Sequence, residues 1–512
     1  MAKKDRGPPT ERTAVQDTKG IFPRLSHTLK LSPYSLAGYT LQSYAVVFSP
    51  CLVYFLNYSI LTMSTTIDDK VVAGASSSSD LKKDPIIALT EQVRLLYDYR
   101  DHYFDNYPIS NAINKSSDLE KEMKKTISKF DECKGYEIEG QRANYYYLKG
   151  RALNVVDRFV PQAEELLSKA VKLEPKLIDA WNELGECYWK NDDIEQAKNC
   201  FVGALPHGRN KTSLRNLSMV LRQELVNTHK QKIDNVMQGV EYAKEAVSMD
   251  TTDGTSWTIL GNAYLSSFFT VARNPATLKL CMCAYAQAEK DVVAKNKPDL
   301  YFSKATVFKY QEEYQLALEA LDRAMLLDPT WQSPRNKFED LLKYLKDMQK
   351  SIHCKGRLKP KRLHQMVQAL DEKHIGSYKN TSFEKNKEVQ LQLVELRSLT
   401  IGSNVGKVVF GKVICWIQNA DSVPFAFCLV DKEKTTLAVT VYNLAEGRGL
   451  ILGDTVAIPE PFLSYNKFSY CGNDIDFKSI RVETPVVLVV NGRNLGKEQQ
   501  ASANLSSYRK TD

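Results

Sequence analysis

The 512 residues are too many for one small domain and point to about two to four, at roughly 100–200 residues each. With 43% hydrophobic and 25% charged residues the balance is that of an ordinary globular protein, which excludes wholesale disorder. Lys and Arg exceed Asp and Glu by 69 to 61, a net charge of +8. That permits a local basic patch for a polyanion and no more.

Residues 1–84 are expected to be a disordered extension or one that begins upstream of the true start. The apolar stretch from Tyr44 to Leu61 is interrupted by Ser49, Pro50, Asn57 and Ser59. Its unbroken runs fall short of the ~20 residues that a spanning helix needs, and it stands too late and is too aromatic for a signal-peptide core. Met63, opening MSTTIDDK, is the expected start; a weak anchor or targeting segment and a buried tail are the alternatives. The Ser-rich run AGASSSSDLKKD closes this region as a flexible lead-in. No membrane partner is expected.

Residues 85–140 read as an N-terminal helical hairpin. Pro85 suits the first helical position, apolar residues follow at helical spacing, and a second helical pattern runs from about Leu119 to Phe130.

Across 141–350 the chain repeats itself. Ala163, Leu167 and Ala170 recur as Ala197, Phe201 and Ala204, 34 residues later. Trp181-x-x-Leu184-Gly185-x-x-Tyr188 and Trp257-x-x-Leu260-Gly261-x-x-Tyr264 are the signature of a tetratricopeptide unit. Small residues let paired helices approach, large aromatics fill the gap, and Pro175 and Pro329 stand where second helices must stop. Leu214, Leu217, Ser218 and Leu221 mark a degenerate unit with Ser in place of Gly, and the segment between Tyr264 and Cys281 implies one enlarged hairpin. About five to six helical pairs are enough for a continuous solenoid core.

Stacked first helices of such units line a concave groove. With Trp181 and Trp257 at the fourth position, the groove-facing positions are Asp179, Asn182 and Glu186, then Arg215 and Arg222, then Thr258 and Asn262, then Asp299, Phe302 and Lys309. Asn182 and Asn262 can clamp a peptide backbone, because an amide both donates and accepts. Arg222 can take a carboxylate and Asp299 a cation. The expected ligand is a short peptide carrying opposite charges close together.

Residues 351–398 read as a basic linker. Lys355, Arg357, Lys359, Lys361 and Arg362 crowd HCKGRLKPKRLHQMV with no acid among them, and Gly356 and Pro360 favour a loop. Such a run is either a solvated linker or a contact for a phosphate backbone or an acidic partner. From 399 to 494 the period shortens to two: five β-branched segments separated by Gly, Asn, Asp and Pro turns suit a small Greek-key barrel of OB type, with 495–512 as a tail. The fold class is therefore α + β and multidomain, a tetratricopeptide-repeat α-solenoid followed by a small OB-type β-barrel.

The ten cysteines are scattered and include no Cys-x-x-Cys pair, and the seven histidines are equally dispersed. Free, mostly buried thiols, no metal site and no cofactor are expected. No nucleophile–base pair or metal constellation indicates an enzyme.

The segments QAEELLSKAVKLEPKLIDAWNELGECYW, RNKTSLRNLSMVLRQ, GDTVAIPEP and IRVETPVVLVVNG together resemble the tetratricopeptide repeat protein 5 family, also called Strap, over roughly residues 85–495. The resemblance implies a non-enzymatic adaptor of cytoplasm and nucleus. It would bind the nascent amino-terminal peptide of α- and β-tubulin at the ribosome and promote tubulin mRNA decay through an adaptor and a deadenylase. The other implied role is a stress-responsive transcription scaffold for an acetyltransferase coactivator. The tubulin peptide begins Met-Arg-Glu. By resemblance Arg222 takes its Glu, Asp299 takes its Arg, Asn262 holds backbone, and Lys359 and Lys361 contact ribosomal RNA. Ser333 stands where family members carry Glu, so one peptide contact is expected to be missing.

Overall fold

The computed structural model describes residues 85–133, 141–379, 391–421, 423–445 and 447–501. The expectations for residues 1–84, Cys51 and the last eleven residues of the tail lie outside these. No helix among the described residues is long and apolar enough to cross a membrane.

Helix α1 (Pro85–Asp101) opens on its proline and buries Leu89, Val93 and Leu96; α2 (Lys115–Glu132) buries Leu119, Met123, Thr126 and Phe130. Both sets follow the 3–4 spacing of one helix face, so the two helices pack on each other. Five helical pairs follow. They are α3 (Arg142–Leu153) with α4 (Pro161–Leu173), α5 (Ile178–Lys190) with α6 (Ile194–Ala204), α7 (Lys211–Gln223) with α8 (His229–Met249), α9 (Gly254–Thr270) with α10 (Pro275–Ala288), and α11 (Pro298–Tyr310) with α12 (Tyr314–Leu327). A long helix, α13 (Gln332–His353), ends the series.

The repeat residues act as the sequence requires. Ala163, Leu167, Ala170, Ala197, Phe201 and Ala204 are fully buried. A Cβ added at Gly185 would fall 2.5 Å from the Phe201 ring, and one at Gly261 would fall 2.3 Å from the Tyr285 ring. In the degenerate unit the small residue sits on the other helix: a Cβ at Gly239 of α8 would lie 3.2 Å from the Ser218 carbonyl. Close approach is therefore kept although Ser218 replaces the usual glycine. Pro175 and Pro329 each stand two residues beyond a second helix, since α4 ends at Leu173 and α12 at Leu327. The enlarged hairpin is a longer α9, whose Phe268 and Phe269 pack edge-on against Tyr310 of α11 at 5.0 and 5.6 Å.

The first helices share one tether. Trp181 Nε1 donates to the Pro175 carbonyl (2.8 Å), Trp257 Nε1 to Thr251 (2.9 Å), and the Tyr301 hydroxyl to Lys295 (3.0 Å). Each reaches the carbonyl six residues earlier, so three turns are held alike and three first helices start in the same phase.

The barrel is built from β1 (Lys407–Ile417), β2 (Phe425–Val430), β3 (Thr436–Val441), β4 (Thr455–Pro459), β5 (Phe462–Tyr470) and β6 (Asn473–Val482), with shorter strands beside them. β1, β2 and β3 pair antiparallel in order, and β3 pairs with β6 in parallel. β4 and β5 are one strand bent at Pro459-Glu460-Pro461, where two prolines withhold ladder donors and Glu460 takes a positive φ. Its first half pairs with β1 and its second with β6, which carries the sheet round on itself. The polar FLSYNKFSY strand lacks the β-branched pattern of the five expected segments, and the last of these, FKSIRVETPVVLVVNG, breaks at Pro485 into a 3₁₀ turn.

Alternate residues divide the sheet between two cores. Val409, Val413, Phe427, Leu429, Val439 and Ile480 fill the barrel. Val408, Phe410, Cys428, Val430, Ala438 and Phe477 face outward and join Tyr344, Leu345 and Met348 of α13. The solenoid and barrel thus share a core.

Two boundary expectations change, and one about the thiols. The 351–398 segment is more than a linker: Pro360 opens α14 (Pro360–Gln368), and Leu363, Met366, Val367, Leu370, Ile375 and Tyr378 bury into the shared core. Ala501 donates its N–H to the Asn443 carbonyl (2.7 Å), so 495–501 is tied to the barrel rather than to a free tail. None of the nine described cysteines is in a disulfide, and only Cys187, Cys200, Cys281 and Cys428 of them are buried.

Candidate functional site

The solenoid places Arg222 on α7, Asn262 on α9 and Asp299 on α11, the first helices of three consecutive pairs, which pack in that order. Asp299 is exposed in the first turn of α11, with no hydrogen bond or ion pair among the described residues. Asn262 is half-buried; its Oδ1 accepts from the Tyr285 hydroxyl (2.7 Å), and its Nδ2 has no partner among the described residues. Arg222 is half-buried at the end of α7 and donates Nε–H to the Ser218 carbonyl (2.9 Å). Its own carbonyl accepts from Lys232 Nζ (2.7 Å). Burial lowers the Lys232 pKa, with Arg222 adding to the effect and Glu224 opposing it.

Asn182 differs from expectation. It is only 4% exposed, accepts from the Ser213 hydroxyl (2.6 Å) and donates to Asn210 Oδ1 (3.2 Å). Asn210 in turn caps α7. The Asn182 amide is thus spent on holding α5 to the start of α7, as a buried amide must find partners.

Several other groove positions are also satisfied internally. Arg215 pairs with Asp253 (3.0 Å) and Lys309 with Asp421 of the barrel (2.5 Å), while Glu186 accepts from Asn216 (3.3 Å). Thr258 is buried against the Gly254 carbonyl (2.9 Å), and Phe302 lies against Trp331 with ring centroids 4.8 Å apart. Asp179 is exposed, and Ser333 is half-buried in the first turn of α13.

Sequence reasoning missed a cluster of charges on α1, α3 and α5, in which Arg100 of the N-terminal hairpin comes near Lys297, two residues before Asp299. Arg100 and Arg151 stack on Tyr97, at 4.4 and 4.5 Å from its centroid. Arg100 also pairs with Asp101 (2.8 Å), and Arg151 with Glu183 (3.1 Å). Lys297 donates to Thr255 Oγ1 (3.2 Å), and its pKa is lowered first by burial and then by Arg100 and Arg215, against Asp101 and Asp299. Crowded cations in a partly buried place favour an anion beside them. The only signal in the sequence was the mixed run YDYRDHYFDNY, whose reach to a residue about 200 positions away no periodicity reveals.

The basic junction lies at the other end of the solenoid. Lys355 and Arg357 flank Gly356 in a tight turn with all three residues at positive φ. Arg357, Lys359, Lys361 and Arg362 are exposed. Lys361 and Arg362 stand on the first turn of α14 rather than on a loop, because Pro360 starts a helix. Exposed cations on a fixed turn and helix start present a rigid basic edge to an anionic backbone.

The outer face of β2 and β3, which OB folds use for oligonucleotides and oligosaccharides, is covered here. Glu312, in a left-handed turn between α11 and α12, accepts hydrogen bonds there from Thr440 Oγ1 (2.8 Å) and the Tyr442 hydroxyl (3.0 Å). Arg481 Nη1 lies 3.5 Å from the same carboxylate and donates to the Tyr310 carbonyl (2.9 Å). The solenoid occupies the place of a ligand.

Comparison with known proteins adds to this geometry. The family model for the tetratricopeptide repeat protein 5 OB fold domain matches residues 390–504. Tetratricopeptide repeat protein 5 of Homo sapiens is 45% identical over 422 residues, covering 82% of this chain and 96% of that protein. The Mus musculus protein of the same name is 45% identical over 419 residues, covering 80% and 94%. Among solved structures, YrrB, described as a TPR protein with an unusual peptide-binding site, is similar at 19% identity and a TM-score of 0.28, covering 40% of this chain and 97% of its own. A thermophilic TPR protein of Thermus thermophilus is similar at 16% identity and a TM-score of 0.33, covering 39% and 98%.

Proposed function

The chain belongs to the tetratricopeptide repeat protein 5 family, and from that premise we propose that its solenoid holds the amino-terminal peptide of nascent α- or β-tubulin at the ribosome and so promotes decay of tubulin mRNA. Its relatives make the chain a tetratricopeptide protein-binding adaptor with an OB-fold domain. The observation that carries the tubulin proposal is the series of a cation at Arg222, an open amide at Asn262 and an unpaired anion at Asp299 on successive first helices. A peptide beginning Met-Arg-Glu supplies the complement of each, with its Glu at Arg222, its backbone at Asn262 and its Arg at Asp299. Lys359 and Lys361 would rest on the ribosomal RNA backbone, leaving other surfaces for an mRNA-decay adaptor and a deadenylase. This activity belongs in the cytoplasm and needs no chemistry from the chain itself.

The test is co-sedimentation with ribosomes that display a Met-Arg-Glu nascent chain, beside ribosomes displaying Met-Glu-Arg. Retention on the first and loss on the second supports the proposal; equal retention on both removes the peptide from it.

A second reading, a scaffold for an acetyltransferase coactivator in the nucleus, is favoured by one feature of the barrel. Trp416, Ile451 and Leu452 are 53%, 64% and 53% exposed. They lie about the bond from Trp416 Nε1 to the Leu450 carbonyl (2.7 Å). Exposed apolar side chains gathered in this way suit a protein partner.

A further inference from the structure

Cys415 on β1 and Cys428 on β2 stand directly opposite each other, just past an irregularity in register between Val413 and Cys415. Both face the helix-covered outside of the barrel, Cys428 within that core and Cys415 packed against it. Opposed residues of an antiparallel pair have Cα atoms about 4.5–5.5 Å apart. That lies within the roughly 4.4–6.8 Å that a disulfide spans. Both thiols are free.

The two thiols are unequal. Cys428 is fully buried and Cys415 half-buried. A hydrogen bond from the Cys428 thiol lowers the pKa of Cys415 against the effect of burial, helped by the Cys428 backbone N–H and the Ser351 hydroxyl. The same thiol–thiol contact, with burial, raises the pKa of Cys428. This is the arrangement of an attacking thiol with a resolving partner behind it. The other described cysteines lack it. Cys283 on α10, Cys354 at the end of α13 and Cys471 in the turn after β5 are exposed and outside the strands, and Cys281 and Cys283 stand two apart on one helix, on different faces.

We propose that Cys415 and Cys428 are a reversible oxidation site, at which a hydroperoxide converts the dithiol to a cross-strand disulfide. The Cys415 thiolate attacks one peroxide oxygen; the O–O bond breaks, a sulfenic acid forms on Cys415, and the other oxygen leaves as water after taking a proton. The Cys428 sulfur then attacks the Cys415 sulfur, the S–O bond breaks, and a second water leaves with the Cys428 proton. Two thiols and hydrogen peroxide thus give one disulfide and two waters, and a dithiol reductant reverses the change.

The site touches the basic junction. A Cβ placed on Gly356 would lie 3.1 Å from the Cβ and Sγ of Cys415 and 3.0 Å from the Ile414 carbonyl, so the Lys355–Arg357 turn is pressed against this cysteine. Drawing the Cys415 sulfur toward Cys428 takes it from Ser351 and withdraws the support beneath that turn. Oxidation of the barrel therefore reaches Lys355 and Arg357.

The test uses the full chain. It is treated with hydrogen peroxide at neutral pH, remaining thiols are alkylated after denaturation, and an unreduced digest is mapped by mass spectrometry. A peptide pair joined through Cys415 and Cys428, and released by dithiothreitol, is expected at doses that leave Cys283, Cys354 and Cys471 alkylable. Backbone amide exchange across 354–358 is expected to rise in the oxidised protein. Cys428→Ala should leave Cys415 as a sulfenic acid that dimedone captures; the wild-type map stands without that variant. Alkylation of both cysteines while the exposed ones oxidise, or Cys415 passing to sulfinic acid without a link, would overturn the proposal. Unchanged exchange across 354–358 would overturn its coupling to the basic turn.

Discussion

The carboxylate of Glu312, in the turn that closes the last helical pair, accepts a hydrogen bond from the hydroxyl of Tyr442 on the barrel at 3.0 Å. Around that bond Glu312 is also held by Thr440 and by Ser464 (3.2 Å), while Arg481 stacks on Tyr442 at 4.0 Å. The side chains of Glu312 and Arg481 are 3% and 11% exposed. Burying this pair makes the barrel part of the solenoid's end, and the covered face is the one on which other OB folds bind ligands.

Removing one partner from a buried ion pair leaves the other uncompensated, at a cost of about 3–5 kcal/mol. Glu312→Ala is expected to lose that much in urea unfolding. Glu312→Gln, which keeps an oxygen for Thr440 and Tyr442, should lose less. A loss below about 1 kcal/mol for the alanine variant would mean that the network does not hold the two parts together.

Asp421 of the barrel reaches both Lys309 of α11 and Lys337 of α13, each at 2.5 Å. Burial raises its pKa, but the two ammonium groups outweigh burial and hold it below the ordinary value. The unfolded chain therefore takes up the proton first, at about pH 4. The stabilisation is fully present above that pH and is lost as pH falls through the lower folded pKa. Asp421→Asn should lower stability at pH 7 and flatten the acid limb of a thermal-melt profile below about pH 4. An acid limb unchanged by the substitution would contradict this.

Gly261→Ala would place a methyl group 2.3 Å from the ring of Tyr285, which is fully buried. Overpacking of this kind costs about 1–3 kcal/mol. The displaced ring carries the hydroxyl that orients Asn262, so the variant should lose peptide affinity as well as melting temperature. Calorimetry and peptide titration on one preparation separate the two effects.

Lys359→Glu with Lys361→Glu alters two exposed residues at the start of α14 and should shift stability by no more than about 0.5 kcal/mol each. If these lysines rest on RNA, ribosome binding should fall and its dependence on log salt should become shallower, by roughly 0.7–0.9 for each phosphate no longer neutralised. Unaltered binding and slope would move the RNA contact elsewhere.

Trp181, Gly185, Trp257 and Gly261 are legible in the sequence because close helix packing demands small and large residues at fixed steps, and the structure places each against the expected kind of neighbour. The β-branched alternation of β1 and β3 is legible for the same reason. What sequence could not reveal depends on distant contacts. Asn182 reads like Asn262 at an equivalent face, yet Ser213 and Asn210 from the next pair claim its amide. Glu312 looks like any turn residue until strands about 130 and 150 residues later close on it. β5 hides behind its serines and asparagine and behind the Pro459–Pro461 bend. Pro360 reads as a breaker where it is a helix start.

The most direct test of the central claim is titration of a fluorescent peptide beginning Met-Arg-Glu into the full chain, with Arg222→Ala and Asp299→Ala beside it and Asp179→Ala as a groove control. Each of the first two should cost about 1–3 kcal/mol, or roughly tenfold and more in affinity, and Asp179→Ala should leave affinity close to that of the unaltered chain. Failure of the unaltered chain to bind, or binding indifferent to both Arg222→Ala and Asp299→Ala, would contradict the account.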